Sequence, residues 1–553
     1  MFGIILKNIV PVILFLVPII VVIILTSKTL LLYIEKIHKK EILITVAIIL
    51  IVDIITLSSI LITKNSKYLY NDYNLYENIH VPEMMARRFG VLTTMRLDLQ
   101  RIMFGLKDTN FIFDPGEKDK ESNGEEDEDP IVIEKYNILD IDWEKLIENE
   151  KDPTIKNMHE YFSRVTPTKQ NEYTGMFKEK NLILIMAESF HTVGLNPKLT
   201  PTLYKLANEG FIFKNFYTPF YFGGTGNGEF VAMLSLVPGT NSQGLAKSID
   251  KYLPFAPGNI FKKLGYETRA YHNHTYTYYK RNLSHPNMGY KFLACGNGLE
   301  KRMICSRWPN SDYEMIIATV DDYIDKTSFL TYYVTVSGHL NYTKRGNNMV
   351  ARNWNQVKDL NYSNLTKGYL ATQIELDKAI KKLIEELEKA DKLKDTVIVM
   401  YSDHWPYGLN PNRLKDSGLN DLIYLNEISS YKRNNFIERD HSTLILWNSE
   451  MEPVIVEKPV GSLDVLPTIL NLFGIPYDSR LLMGRDALSD SDALVIFDNR
   501  SWITERGIYN TKTEKFTPFA EQTIDDDYIE HINKVVYERC RISQLILDND
   551  YYR

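Results

Sequence analysis

"NLILIMAES", residues 181–189, runs apolar from Leu182 to Ala187 and then stops on an acid, Glu188. An unbroken apolar run of this length suits a strand covered on both faces. The pattern recurs in "FLTYYVTVSGH" (329–339), "DTVIVMYSDH" (395–404) and "STLILWN" (442–448). Between the runs lie stretches of helical periodicity, "PTLYKLANEG" (201–210) and "ATQIELDKAIKKLIEELEKA" (371–390). Buried runs separated by amphipathic helices predict an α/β domain with a mostly parallel sheet flanked by helices. Ligands of such sheets collect beyond the carboxyl ends of the strands.

Those ends carry Glu188, His339, Asp403 and His404, each polar where an apolar run has just finished. Two carboxylates and an imidazole form an O,O,N donor set that suits a divalent ion such as Mn²⁺, Mg²⁺ or Zn²⁺. "FGGTGNGEFVAMLSLVPG" (222–239) adds a hydroxyl, Thr225, among four glycines ahead of an apolar segment. A threonine hydroxyl is a poor nucleophile at its free pKa, and a dication makes its proton far easier to remove. A helix starting near Glu229 would aim backbone N–H groups at an anion. Together these residues point to phosphoryl transfer.

The chain has 553 residues, 44% hydrophobic, which is enough for two to four structural units. Its net charge of -7 offers no basic face for a nucleic acid. Three cysteines cannot form a fully paired framework, and their spacing matches no zinc motif. Cys295 and Cys305 are left as either a bridge or two thiols.

Residues 9–26, "IVPVILFLVPIIVVIILT", and 42–63, "ILITVAIILIVDIITLSSILIT", are the two apolar runs of the N-terminal region. About 20 such residues span a ~30 Å hydrocarbon layer, so residues 1–65 are expected to form a transmembrane helical hairpin. Lys28, Lys36, Lys39 and Lys40 lie between the runs, which puts that loop in the cytoplasm and the large remainder outside. Residues 66–130 read as a juxtamembrane helix, "MMARRFGVLTTMRLDLQRIMFG", followed by an acidic linker, "DPGEKDKESNGEEDEDP", too charged to bury a core. A helical connector is expected over 131–180, a catalytic domain over 181–490 and an α/β extension over 491–553.

The ordered motifs "KNLILIMAES", "TGNGEF", "VTVSGH", "YSDHWPYG" and "GSLDVLPTILNLFGIP" resemble the lipoteichoic acid synthase type of the alkaline phosphatase and sulfatase superfamily. The resemblance covers about residues 130–490 and the membrane segments. It implies one metal, usually manganese, held by Glu188, Thr225, Asp403 and His404, with Thr225 as the nucleophile. It further implies that His272, Tyr279, Arg281 and His339 hold the head group of the substrate. In "YHNHTYTYYKRN" the nine-residue spacing from His272 to Arg281 carries that correspondence, and the Arg fork matches a phosphate.

The implied activity moves phosphoglycerol from phosphatidylglycerol to a glycolipid or polymer acceptor through a phosphothreonine intermediate. It belongs to a multi-pass protein of the bacterial cell membrane with its catalytic domain outside. Phosphoethanolamine transfer, phosphodiester hydrolysis and a non-catalytic binding module are the alternatives. Two departures stand out: Tyr279 replaces the family's usual Trp, and Gly226-Asn227 replace its Ser-Asp. The Cys-x-Pro-x-Arg pattern of the formylglycine sulfatases is absent from both "CGNGL" and "CSRWP", which counts against sulfate ester hydrolysis. His441 is assigned a structural role, and His274 and His285 none.

Overall fold

A computed structural model describes residues 39–104, 135–239, 243–409, 436–521 and 524–553. The chain divides into two compact units, Met1–Thr109 and Asn110–Arg553.

In the first unit, helices Lys39–Ile62, Asp72–Glu77 and Pro82–Phe104 follow one another. Asn71 caps the second by accepting the Asn74 N–H, and Arg101 donates to the carbonyls of Leu75, Tyr76 and Ile79 at its other end. A small core holds Leu75, Ile79, Met84 and Met85. The helix Lys39–Ile62 contains most of the second apolar run and leaves Ile48, Ile51, Ile54 and Ile55 exposed. Among the described residues no helix is long and apolar enough to cross a membrane. Of the expected hairpin, the second arm falls almost wholly within the helix Lys39–Ile62, while the first arm, 9–26, and the acidic linker, 114–130, lie outside the described residues.

The second unit is built on a nine-stranded sheet. Its strands are β1 (Asn181–Ala187), β2 (Phe211–Tyr217), β3 (Glu267–Thr275), β4 (Lys291–Cys295), β5 (Phe329–Val334), β6 (Thr396–Ser402), β7 (His441–Ser442), β8 (Ile445–Trp447) and β9 (Val454–Gly461). The order is β4-β3-β5-β1-β6-β8-β2-β7, with β9 also on β2. From β4 to β6 every pairing is parallel; β8 runs antiparallel to β6 and β2, and β7 antiparallel to β2.

The register shows why unbroken apolar runs are needed. Leu182, Leu184 and Met186 of β1 pack into one hydrophobic layer, while Ile183, Ile185 and Ala187 pack into the layer on the opposite face. Val397, Val399 and Tyr401 of β6 divide from Ile398 and Met400 in the same way. Each large apolar side chain so buried contributes roughly 1.5–3 kcal/mol. The helix Asn364–Lys389, capped by Ser363, covers one face with Leu376, Ala379, Ile380, Leu383 and Leu387, a single helical stripe. The helix Val465–Leu472 covers the other.

A four-stranded antiparallel sheet follows, β10 (Val495–Ile496), β11 (Trp502–Thr504), β12 (Gly507–Asn510) and β13 (Lys515–Pro518). The helix Asp526–Asp548 ties it to the main core: Asn533 accepts the buried Trp502 indole N–H at 2.9 Å, and Val536, Cys540 and Ile546 join the large cluster. Because β3, β5, β1 and β6 run the same way, their carboxyl ends open on one edge of the sheet.

Candidate active site

β1 ends at Ala187, so Glu188 is the first residue past the strand; β6 ends at Ser402, immediately before Asp403 and His404. β1 and β6 are neighbours in register, Ala187 opposite Ser402, and the three side chains therefore meet. Ligand atoms of Glu188, Asp403 and His404 lie within 4.8 Å of one another, and all three residues are buried. The chain turns sharply after Glu188 through Ser189, at φ 55°. Ser189 N–H donates to Asp403 Oδ1 at 2.8 Å and its hydroxyl donates to Glu188 Oε1 at 2.9 Å.

Thr225 arrives from a different direction, as the first residue of the helix Thr225–Leu234. The sequence predicts a helix start near Glu229; the helix begins one turn earlier, so the nucleophile candidate itself occupies the N-terminus. Gly224, at φ 61°, makes the turn that a side chain would resist. Gly228 is needed for another reason: a Cβ there would stand 2.2 Å from the Asp403 carbonyl oxygen, so the helix can press onto the end of β6 only without one. Thr225 Oγ1 donates to Glu188 Oε2 at 3.2 Å and lies 3.4 Å from His404 Nε2.

The electrostatics of this cluster suit a cation. His404 Nδ1 donates to the Trp405 carbonyl at 2.9 Å, so a neutral ring turns its bare Nε2 toward Asp403 Oδ2 at 3.2 Å and Glu188 Oε1 at 3.7 Å. No hydrogen bond reaches Asp403 Oδ2 among the described residues. Acceptors facing one another in a buried site need a positive charge between them. Without one, burial and then the Glu188 charge push Asp403 up to about 7. Burial alone would raise Glu188, but the His404 and His339 charges hold it below its ordinary value. Burial opposes a charged His404, and Asp403 and Glu188 outweigh it. A dication answers all of these demands, and Glu188, Thr225, Asp403 and His404 are the residues that fit it.

The other sequence-predicted residues fall into two groups. His272, on β3, donates from Nδ1 to the Val334 carbonyl at 2.9 Å, which leaves Nε2 to accept from Arg281 Nη1 at 3.2 Å. Burial first, and the Arg281 charge second, hold His272 well below its usual pKa. Tyr279 donates from its hydroxyl to the Gly223 carbonyl at 3.2 Å, and the Arg281 guanidinium lies 5.2 Å from its ring centre.

His339 adjoins this group through Trp308 and His274, whose ring lies 5.9 Å from that of His272. The Nδ1 of His339 donates to the Leu340 carbonyl, and its ring packs edge-on against Trp308 at 4.9 Å. Trp308, itself beside His274 at 4.8 Å, follows a loop closed by a Cys295–Cys305 disulfide. The bridge settles which of the two cysteine readings holds.

His441 contacts the Lys214 carbonyl and the Tyr217 ring, and belongs to no metal-binding group among the described residues. Asn227 donates to the Phe222 carbonyl and accepts from the Gly244 N–H at 2.7 Å, so it shapes the loop that carries Thr225 rather than a pocket wall. Glu229, which in the sequence only marks an expected helix start, is a buried charged residue of this site. Its signal was an acid in the apolar segment "EFVAMLSLV", where a buried charge requires partners.

The sequence matches the sulfatase family over residues 180–475. It is similar to lipoteichoic acid synthases of Staphylococcus saprophyticus (27% identity over 67% of this chain and 58% of that one) and Staphylococcus aureus (26% over 76% and 66%). The chain thus spans less than two thirds of the length of these relatives. The fold is similar to a lipoteichoic acid synthase structure from Listeria monocytogenes (TM-score 0.59, 19% identity, 71% of this chain and 98% of that one). It is also similar to an alkaline phosphatase superfamily protein from Vibrio parahaemolyticus (TM-score 0.51, 14% identity, 74% and 97%).

Proposed function

The chain belongs to the sulfatase family, and we propose that within it this protein is a membrane-anchored, extracellular phosphoglycerol transferase. The observation that carries the reading is the meeting of a helix-N-terminal hydroxyl, Thr225, with the Glu188, Asp403 and His404 donor set. Phosphoryl rather than sulfuryl chemistry is supported by the residue at the nucleophile position, Thr225, which is not a cysteine that could become formylglycine; Cys295 and Cys305 form a disulfide, and Cys540 lies in the helix Asp526–Asp548. The lipoteichoic acid synthases among the relatives support the donor and acceptor classes, phosphatidylglycerol and a glycolipid or polymer hydroxyl.

A divalent ion, Mn²⁺ by the resemblance, would be held by Glu188, Thr225, Asp403 and His404, and would supply Lewis acidity that lowers the threonine pKa and neutralises phosphate charge. Thr225 Oγ1 attacks the phosphorus of the lipid. The bond from phosphorus to the diacylglycerol oxygen breaks, that oxygen takes up a proton, and Thr225 has given one up. Glycerophosphate is then ester-linked to Thr225. An acceptor hydroxyl attacks the same phosphorus, loses its proton, and restores the Thr225 hydroxyl. Arg281 and His339 hold the phosphoryl oxygens, and Tyr279 and His272 bound the space beside them. The backbone N–H groups at the start of the Thr225 helix face the same place.

Anchoring is supported by the apolar runs 9–26 and 42–63 and by the isoleucines that the helix Lys39–Ile62 leaves exposed. The test is turnover of labelled phosphatidylglycerol and phosphatidylethanolamine vesicles with added Mn²⁺. Release of diacylglycerol from the first with glycerophosphate captured on Thr225 is the expected result; turnover confined to the second would overturn the head-group assignment.

A further inference from the structure

Glu229 is wholly buried, 1% exposed, one helical turn beyond Thr225. Residues four apart share a helix face, so the nucleophile candidate and this carboxylate are fixed to the same rigid element. Each carboxylate oxygen is engaged. Oε2 accepts from Arg281 Nε at 2.9 Å and lies 2.9 Å from Nη2. Oε1 accepts from the Tyr332 hydroxyl at 3.1 Å and lies 2.9 Å from His285 Nε2. The His285 ring stacks on Tyr332, with planes 16° apart. Arg281 is as buried as Glu229, and its Nη1 reaches His272 Nε2.

These contacts decide which face of the guanidinium is available. Glu229 Oε2 takes its Nε–H and lies 2.9 Å from Nη2, and Nη1 reaches His272 Nε2. Nη2 is buried without a hydrogen-bond partner among the described residues, a donor left for a phosphate oxygen. A free arginine side chain would sample many rotamers; this one is held at both ends. We infer that Glu229, backed by His285 and Tyr332, is the positioning residue that aims Arg281 at the phosphoryl group attacked by Thr225. The inference rests on the phosphodiester reading of the site, and it adds to it a residue outside the metal and head-group sets. Because Glu229 and Thr225 ride on one helix, the carboxylate also fixes the distance between the nucleophile and the anion fork.

The test uses the 553-residue chain in detergent micelles, with inorganic phosphate binding followed by calorimetry and phosphatidylglycerol turnover by diacylglycerol release. E229Q keeps the shape and removes the charge; it is expected to weaken phosphate binding about tenfold or more and to raise KM more than it lowers kcat. R281K, which keeps a charge and loses the fork, is expected to do the same. The E229Q/R281K double variant is expected to fall within about twofold of R281K alone, since the first residue acts through the second.

A folded E229Q protein with wild-type phosphate affinity overturns the inference, and so does a loss that adds in full to that of R281K. Should E229Q not fold, E229D keeps the charge while withdrawing the oxygens by one methylene. It is expected to show the same pattern at smaller size, and wild-type phosphate affinity in E229D overturns the inference equally. Phosphate binding that depends on Glu229 in a protein that does not turn over phosphatidylglycerol would instead overturn the head-group reading and leave the positioning role in place.

Discussion

A Cβ on Gly226 would stand 2.8 Å from Cδ1 and 3.0 Å from Cγ of the Tyr279 ring. The ring therefore lies directly on the backbone of the residue after Thr225, the nucleophile candidate, and the absence of a side chain at 226 is what admits it. These are two of the positions at which the sequence departs from its family pattern, and the structure couples them. G226A is expected to push Tyr279 off the loop, break its bond to the Gly223 carbonyl, and lower kcat/KM by about tenfold, the effect of a small misplacement beside the reacting atoms. In a Y279A background the three nearest contacts of the added methyl are gone, so G226A is expected to cost little more there. Fully additive losses in the four-protein kinetic cycle would show that the contact does not govern the pocket.

Thr225→Ala removes the attacking oxygen while sparing the helix, whose N-terminal turn is set by Gly224 rather than by the threonine side chain. Turnover is expected to vanish, and the melting temperature to shift by less than about 5 °C. Mass spectrometry of wild-type protein quenched during turnover is expected to find glycerophosphate on Thr225 and none in the variant. Wild-type activity in the alanine variant would eliminate threonine nucleophilic catalysis.

The Glu188, Asp403 and His404 cluster predicts a stability response that needs no substrate. Mn²⁺ at 100 times its dissociation constant is expected to add about 2.7 kcal/mol to folding stability, seen as a rise in melting temperature. Asp403→Asn removes one anionic ligand and is expected to abolish most of that rise. A variant stabilised by Mn²⁺ as strongly as wild type would place the ion elsewhere.

The sheet is legible in the sequence because its strands are buried on both faces, and two-sided burial leaves unbroken apolar runs. The polar residues at the strand ends are legible for the same reason, since each interrupts such a run. Glu229 is not, because its partners Arg281 and His285 are more than fifty residues away and only folding brings them to it. Trp308 is hidden likewise: it reaches His339 through a loop whose position depends on the disulfide pairing. The helix start at Thr225 is masked by glycines, which read as a turn although two of them serve close packing against Asp403 and Tyr279.

Glu229 also sets a limit on acid tolerance. Burial alone would raise its carboxyl, but the Arg281 and His285 charges reverse the effect and hold it at about 2, against an ordinary value of 4.5. A depressed folded-state pKa contributes stability that is present above 4.5 and lost as pH falls toward 2, about 3 kcal/mol in all. Denaturant unfolding between pH 6 and pH 2 is expected to show this slope in the wild type and a shallower one in E229Q. Equal slopes would mean that Glu229 takes up its proton at the same pH folded and unfolded.

The Cys295–Cys305 bridge closes a short loop, ten residues apart in sequence, and an unfolded-chain entropy argument assigns such a crosslink about 2–3 kcal/mol. Its position gives it a second effect. The loop leads directly to Trp308, which packs against both His274 and His339 at the edge of the site. Cutting the bridge with C305S should therefore lower the melting temperature and also loosen the wall against which His339 rests. The kinetic consequence is expected in KM for the lipid more than in kcat, because Thr225 and the metal cluster stand on β1, β6 and the Thr225 helix, not on this loop. W308A, with the disulfide intact, is expected to reproduce the KM change without the stability loss. A C305S protein with an unaltered KM, or a W308A protein with the full stability loss, would separate the loop from the site.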